Sequence, residues 1–448
     1  MRDTPSKRSI PVILSNMIIN TSKLQNNLPV IKVDTQSFPS ATVMLLLGAG
    51  SRCENERNNG VAHFFEHMAF KGSSKYKTAF EISSKIDGIG GIFNAFTSKD
   101  HTGYYIKAPV HHTSLVIDIL SDMLLKPNLD PAEIEREKKV IIEEINMYED
   151  MPARKVSDIY DELLYQGHSL AFDIAGTKES VSSLSRSSID SYLKKFYQPQ
   201  NAVLVMAGGF LQRDTPSKRS IPQKGVSLKK EYPEFSEWRG SGEKVEIDKY
   251  EVTQKHKAVK VFYKKTEQAH FCLGYRAFSQ FDKRRYALSV LSAILGGGMS
   301  SRLFIEVRER RGLCYYVSTS KDLYQDTGSL VTQAGVTNNV QKLNEAIKVI
   351  IHEHEKIASG DLKEEELIRA KEMIKGRFLL SLEDSQSVAS FTGTKYLFEG
   401  ATVQPSEIIS EIENVTFKDV ENLAKELFVS RGLNIAAIGP YKQDDIKI

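Results

Sequence analysis

One pattern of apolar and polar positions occurs twice along the chain. Residues Leu184–Gly208 and Val415–Gly439 align without gaps, Gly208 falling on Gly439 at an offset of 231 residues. In each, a serine or threonine opens a segment whose apolar positions recur at helical spacing: Ile189, Tyr192 and Phe196 in one, Val420, Leu423 and Leu427 in the other. Steps of three and four residues place these side chains on one helix face, and a hydroxyl ahead of the first turn caps it. A short loop then leads to an apolar run ending at glycine, the mark of a strand. A shorter correspondence pairs E-I-E-R-E-K-K-V-I with E-L-I-R-A-K-E-M-I at Glu366–Ile374. In that register Ala370 stands for Glu137 and Arg377 for Glu144. The chain reads as a duplication, each half of about 210 residues being an ordinary domain size.

Three further segments stand out. Asp130 and Pro131 open a long helical pattern that runs through Tyr148. Gly88–Tyr105 begins with glycines suited to a turn and continues in Thr, Phe and Tyr, which predicts strands. Leu295–Val317 contains the triple glycine Gly296–Gly298. It lacks the lysine and spacing of a phosphate-binding loop, so it reads as a loop between helices.

Chemistry concentrates in V-A-H-F-F-E-H-M-A-F, Val61–Phe70. His63, Glu66 and His67 sit at i, i+3 and i+4, on one face of a helix. Two neutral imidazoles are good zinc ligands, and the carboxylate between them is placed to take a proton from a water. This is the inverted form of His-Glu-x-x-His. A third ligand is needed, and Glu144 offers one. It lies among Val140, Ile141 and Ile145, where a buried carboxylate needs a partner. Glu137 lies two turns earlier on the same face. The competing reading is a charge-rich helix face in water. His101, His111 and His112 read as loop or surface residues rather than ligands.

On these residues the chain resembles the pitrilysin/insulinase superfamily of zinc peptidases, in particular the branch with mitochondrial processing peptidase and its bacterial relatives. The resemblance runs from about Leu28 to Tyr441. It implies an α+β fold of two homologous half-domains, pseudo-two-fold related, each a mainly antiparallel sheet with helices packed on one face. It implies one zinc ion per chain on His63, His67 and Glu144, Glu66 as general base and Glu137 as a supporting carboxylate. It assigns Asn94, Ala95 and Phe96 to a strand edge that pairs with extended peptide, and Gly296, Gly297 and Gly298 to a segment facing the substrate. Arg308 and Tyr315 match a pair that binds substrate carbonyls and steadies the oxyanion. Arg310 and Arg311 compete for that register and read as solvated, and a plain helix-face salt bridge is the competing reading of Arg308 itself. The implied substrate is an unfolded peptide or a pre-sequence-like segment, and the implied assembly a homodimer. Some relatives divide the zinc and Arg-Tyr sets between subunits, whereas this chain carries both. The alternative is a non-catalytic peptide-binding or scaffold subunit, against which the complete set of five residues argues.

Composition narrows this picture. With 41% hydrophobic and 26% charged residues the chain is globular, and a net charge of +3 with no basic-aromatic pattern argues against nucleic acid. Cys53, Cys272 and Cys314 have neither metal nor disulfide spacing, which fits a reducing compartment; the expected location is a bacterial-like cytoplasm, ahead of an organelle matrix. The longest apolar runs, such as Ala41–Leu47, cannot span a bilayer, and Ser15 and Asn16 break the early apolar stretch, leaving a poor secretory signal. The expected division is a zinc-binding domain over 12–210, a linker over 211–245 and a metal-free homologous domain over 246–448. The decapeptide R-D-T-P-S-K-R-S-I-P occurs at Arg2–Pro11 and again at Arg213–Pro222, outside the duplication register. It reads either as a recombination artefact or as a flexible basic segment that contacts substrate or a partner.

Overall fold

A computed structural model describes residues 17–36, 38–210, 232–240 and 245–448. Both copies of the repeated decapeptide lie outside the described residues. The chain forms two compact units, and neither is a contiguous half of the sequence. The first gathers the described parts of 1–141, 174–247 and 379–408; the second gathers 142–173, 248–378 and 409–448. The helix Pro131–Glu149 is continuous across the division at Ile141 and Ile142.

The first unit holds a six-stranded sheet of β1 (Ile18–Lys23), β2 (Pro29–Asp34), β3 (Ser40–Leu47), β4 (Ile92–Thr97), β5 (Thr102–Pro109) and β6 (Ala202–Gly208). Their order is β1-β2-β6-β3-β5-β4. The second unit holds β7 (Ala258–Tyr263), β8 (Gln268–Ala277), β9 (Cys314–Leu323), β10 (Gly328–Thr337) and β11 (Leu433–Gly439), in the order β7-β11-β8-β10-β9. Each sheet is antiparallel apart from one pair, β2 with β6 and β7 with β11. Strand for strand, β2-β6-β3-β5-β4 repeats as β7-β11-β8-β10-β9.

The repeated segments account for part of this identity. Ser185 accepts from the Ser188 amide and Thr416 from the Asp419 amide, each closing a reciprocal capping box. The helices Arg186–Phe196 and Phe417–Leu427 follow, with Ile189, Tyr192, Phe196, Val420, Leu423 and Leu427 all buried. They lead into β6 and β11, whose residues are buried throughout.

To the expected helical layer the structure adds one helix on the opposite face of each sheet. In the first unit, Tyr104 of β5 packs on Phe65 of the helix Val61–Met68. The reverse face carries Thr42, Leu46 and Lys107, and these meet the helix Ser385–Glu399 and its cap. Thr42 bonds Ser385, Lys107 pairs with Asp384, and Gly393 lies against Leu46 and Val205. In the second unit the helix Pro152–Leu164 plays the same part, burying Val156, Ile159, Tyr160 and Leu164 with Cys272, Val331, Ala436 and Ile438. Each unit thus takes one helix from the other half of the sequence. The division into 12–210 and 246–448 does not register this exchange, because an amphipathic pattern marks the face that is buried and not the sheet that buries it. No helix among the described residues is long and apolar enough to cross a membrane.

Candidate metal centre

The helix Val61–Met68 buries Val61, Ala62, Phe64, Phe65 and Met68 and leaves His63, Glu66 and His67 partly exposed on its other face. The period-3.6 reading of the motif is therefore correct. Its start is fixed by Gly60, which caps with φ +91, and by the buried carboxylate of Glu54. Glu54 accepts from the amides of Gly60 at 2.7 Å and Ala62 at 2.8 Å and from Asn59 Nδ2 at 2.9 Å. An acid here faces the positive end of the helix, yet burial still pushes its pKa up to about 8 against these three donors.

One ligand atom from each of His63, His67 and Glu144 lies within 4.8 Å of the other two, and no other group of three or more such residues occurs among the described residues. The rings of His63 and His67 meet edge to face with centroids 4.7 Å apart. Two imidazoles and one carboxylate form a donor set suited to zinc, with a coordination position left for water. Val140 is 47% exposed, while Ile141 and Ile145 are buried. Glu144 therefore lies at the border of the apolar stripe rather than inside it, as had been expected from its neighbours. Its Oε1 accepts from the Tyr148 hydroxyl at 2.7 Å, which raises the tyrosine pKa.

Glu137 lies two turns before Glu144 and is 2% exposed. Its Oε1 is 2.9 Å from His67 Nδ1, and its Oε2 is 2.6 Å from Lys71 Nζ. Burial pushes its pKa up, but the bonds from His67 and Lys71 outweigh that and hold the carboxyl below its ordinary range. A carboxylate can only accept, so His67 Nδ1 carries the hydrogen and Nε2 keeps a lone pair for a metal. Glu66 Oε2 accepts from Thr97 Oγ1 at 2.6 Å.

Thr97 ends β4, which forms an edge of its sheet. Along this strand Ala95 pairs with Tyr104, on the side of the helix Val61–Met68, while Asn94 and Phe96 pair with Tyr105 and Gly103 and point to the other side. The three predicted contact residues therefore share a backbone edge and not a face. His101 follows in the loop. Its ring lies edge-on to Phe96 and Phe398, and burial lowers its pKa to about 4, so it is a packed loop residue rather than a surface one.

In the second unit, Gly296 ends the helix Arg285–Gly296 against β9, where a side chain would strike Thr319. A side chain at Gly297 would meet Met373, and the Gly297 carbonyl accepts from Arg377 Nη1 at 2.7 Å. These two glycines are required by packing, and Gly298 next to them faces Met373 and Arg377. Arg308 lies in a π-helical turn, Phe304–Glu309, a local form often found at functional sites. Its guanidinium stands over the rings of Phe304 at 4.6 Å and Tyr315 at 5.9 Å. Tyr315 is 75% exposed. Arg310 and Arg311 both pair with Glu306 at the surface. Sequence reasoning passed over Glu54, Lys71, Thr97 and Tyr148. Only Tyr148, four residues after Glu144, carried a local signal.

Residues 30–178 match the family model described as Insulinase (Peptidase family M16), and residues 183–374 match the one described as Peptidase M16 inactive domain. An uncharacterized zinc protease of Bacillus subtilis, YmxG, is 36% identical over 93% of this chain and 97% of its own length. An uncharacterized zinc protease of Streptomyces coelicolor is 32% identical over 95% of this chain and 90% of its own. Among solved structures, a protease from Helicobacter pylori superposes with a TM-score of 0.85 at 23% identity, over 95% of this chain and all of that one. The likeness in structure supports the two-unit fold.

Proposed function

The chain belongs to the insulinase (M16) peptidase family, and from that premise we propose that it is a zinc metalloendopeptidase acting on unfolded peptides or pre-sequence-like segments. The observation that carries this reading is the meeting of His63, His67 and Glu144 donor atoms within 4.8 Å, with Glu66 on the same helix face as the two histidines. When bound, zinc supplies Lewis-acid chemistry, polarising a carbonyl and making a water acidic. His63, His67 and Glu144 hold it, and Glu137 fixes the His67 ring. Glu66, oriented by Thr97, takes the proton of the attacking water and passes it to the leaving amine.

The edge of β4 receives the substrate as an added strand through backbone hydrogen bonds, which select for extended chain more than for sequence. Asn94, Ala95 and Phe96 supply that edge. Gly296–Gly298 shape the segment that faces the substrate, while Arg308 and Tyr315 bind substrate carbonyls and the developing oxyanion. A cytoplasmic homodimer belongs to the same reading.

The test is cleavage of a mixture of unfolded peptides, with and without a chelator, followed by zinc add-back. Loss with chelator and recovery with zinc support the peptidase, and Glu66→Gln should then abolish turnover while zinc stays bound. Folded, zinc-loaded protein that cleaves nothing would favour a peptide-binding subunit.

A further inference from the structure

We infer that Lys71 is a positioning residue for the metal centre, acting on His67 through Glu137; the inference rests on the zinc reading above. The helix Val61–Met68 ends one residue before Ala69, and the chain turns there through Phe70 and Lys71. This turn brings the Lys71 ammonium back to Glu137 Oε2 at 2.6 Å while Oε1 meets His67 Nδ1 at 2.9 Å. The carboxylate is thus held at both oxygens, by a cation on one side and a ligand imidazole on the other. Its side chain is 3% exposed against 29% for Lys71. Water therefore offers Glu137 little in place of the lysine, and a buried carboxylate left with one partner gains by turning toward another donor.

Each such turn weakens the His67 bond that keeps hydrogen on Nδ1 and the Nε2 lone pair aimed at the metal. Two effects of removing Lys71 oppose each other. Loss of a nearby positive charge favours a cation in the site, and loss of the fixed carboxylate disfavours it. The first acts at a distance in a site that is partly open to water, whereas the second acts through two direct contacts. Positioning should therefore dominate. Groups that orient a metal-bound histidine commonly contribute about 10- to 100-fold in affinity; for Lys71, one contact further out, the lower end applies.

The experiment compares zinc affinity of full-length wild type, Lys71→Met and Lys71→Arg, by competition with a chromophoric chelator. Nitrogen-15 NMR of the zinc-free proteins reads the His67 tautomer. Zinc binding by wild type that is lost in His63→Ala tests the site itself, and its absence would sink the zinc reading. Given that binding, Lys71→Met should weaken it about tenfold and reduce the Nδ1–H tautomer of His67, and Lys71→Arg should restore both most of the way. Should Lys71→Met fail to fold, Lys71→Gln keeps a polar stem without the charge and should show the same loss. Zinc affinity in the neutral variant equal to or tighter than wild type, or an unchanged His67 tautomer, would overturn the assignment of Lys71 alone.

Discussion

The two halves of the sequence share a strand order, a capped helix and an exchanged helix, yet they differ in polar chemistry. After β3 comes a helix bearing His63, Glu66 and His67; after β8 comes Arg285–Gly296, which carries none of these residue types and ends in glycine. In the register of the long acidic helix, Ala370 replaces Glu137 and Arg377 replaces Glu144. Arg377 then donates to the Gly297 carbonyl, so the second half answers its own polar groups internally. The frame thus tolerates either chemistry, and the donor cluster of His63, His67 and Glu144 is made by a few side chains on two helices. The strongest way to break this contrast is to count metal. One zinc per chain is expected by mass spectrometry of the intact protein. His67→Ala should take it to zero, and Arg377→Glu should leave it at one. Catalysis should follow the same division: Glu66→Gln is expected to lower kcat by about 10³-fold with zinc retained. By contrast Arg308→Ala should lower it by about 10²-fold, the scale for one oxyanion donor. Equal losses from Glu66→Gln and from Arg377→Ala would contradict it.

The same contrast explains what the sequence disclosed. Local rules were legible: the capping boxes at Ser185 and Thr416, the buried strands β6 and β11, and the helical spacing of His63, Glu66 and His67 all depend on neighbours within a few residues. Glu144 was singled out by its apolar neighbours Val140, Ile141 and Ile145, and its place as third ligand came with the resemblance to the zinc peptidases. The failures are nonlocal. Val140 was expected to enclose Glu144, but its face of the helix is exposed. The exchanged helices carry ordinary amphipathic patterns with no sign of which sheet they cover. Lys71, Thr97 and Glu54 look like surface or loop residues until the fold brings Glu137, Glu66 and the start of the motif helix to them.

The exchanged helices invite a comparison of packing. The atoms nearest a methyl at Gly393 belong to side chains, Leu46 Cδ1 at 2.5 Å and Val205 Cγ2 at 2.7 Å. Gly274 faces the Leu330 carbonyl and the Tyr160 hydroxyl, the latter 2.6 Å from an added methyl. A backbone carbonyl in a sheet ladder cannot move alone. Gly274→Ala should therefore destabilise by about 3 kcal/mol and Gly393→Ala by about 1 kcal/mol, the span for overpacked cores. Thermal or denaturant melts of the two variants check the order, and equal losses would show that the two exchanged helices are seated alike.

The last comparison concerns pH, and here the two units should differ in sign. Glu54 in the first unit is a buried acid whose pKa is raised to about 8 by burial. Unfolded, it titrates near its ordinary value of about 4.3. Between these values the folded chain holds a proton that the unfolded chain releases, so its contribution is full at low pH and is lost as pH rises through 8. His354 in the second unit is packed against Phe428 and Tyr275, and burial lowers its pKa to about 3. Below its unfolded value of about 6.5 the unfolded chain takes up a proton that the folded chain refuses, so stability falls as pH drops from there toward 3. Each pH unit within either window is worth about 1.4 kcal/mol at most, or up to about 2.8 kcal/mol over the two units easily measured. Melts of wild type, Glu54→Gln and His354→Leu from pH 4.5 to 8 separate the contributions. The first variant should lose the alkaline decline and the second the acid one. A Glu54→Gln profile parallel to wild type would mean that the three N–H donors keep Glu54 ionised at the start of the motif helix, and that its carboxylate acts there as a permanent charged cap.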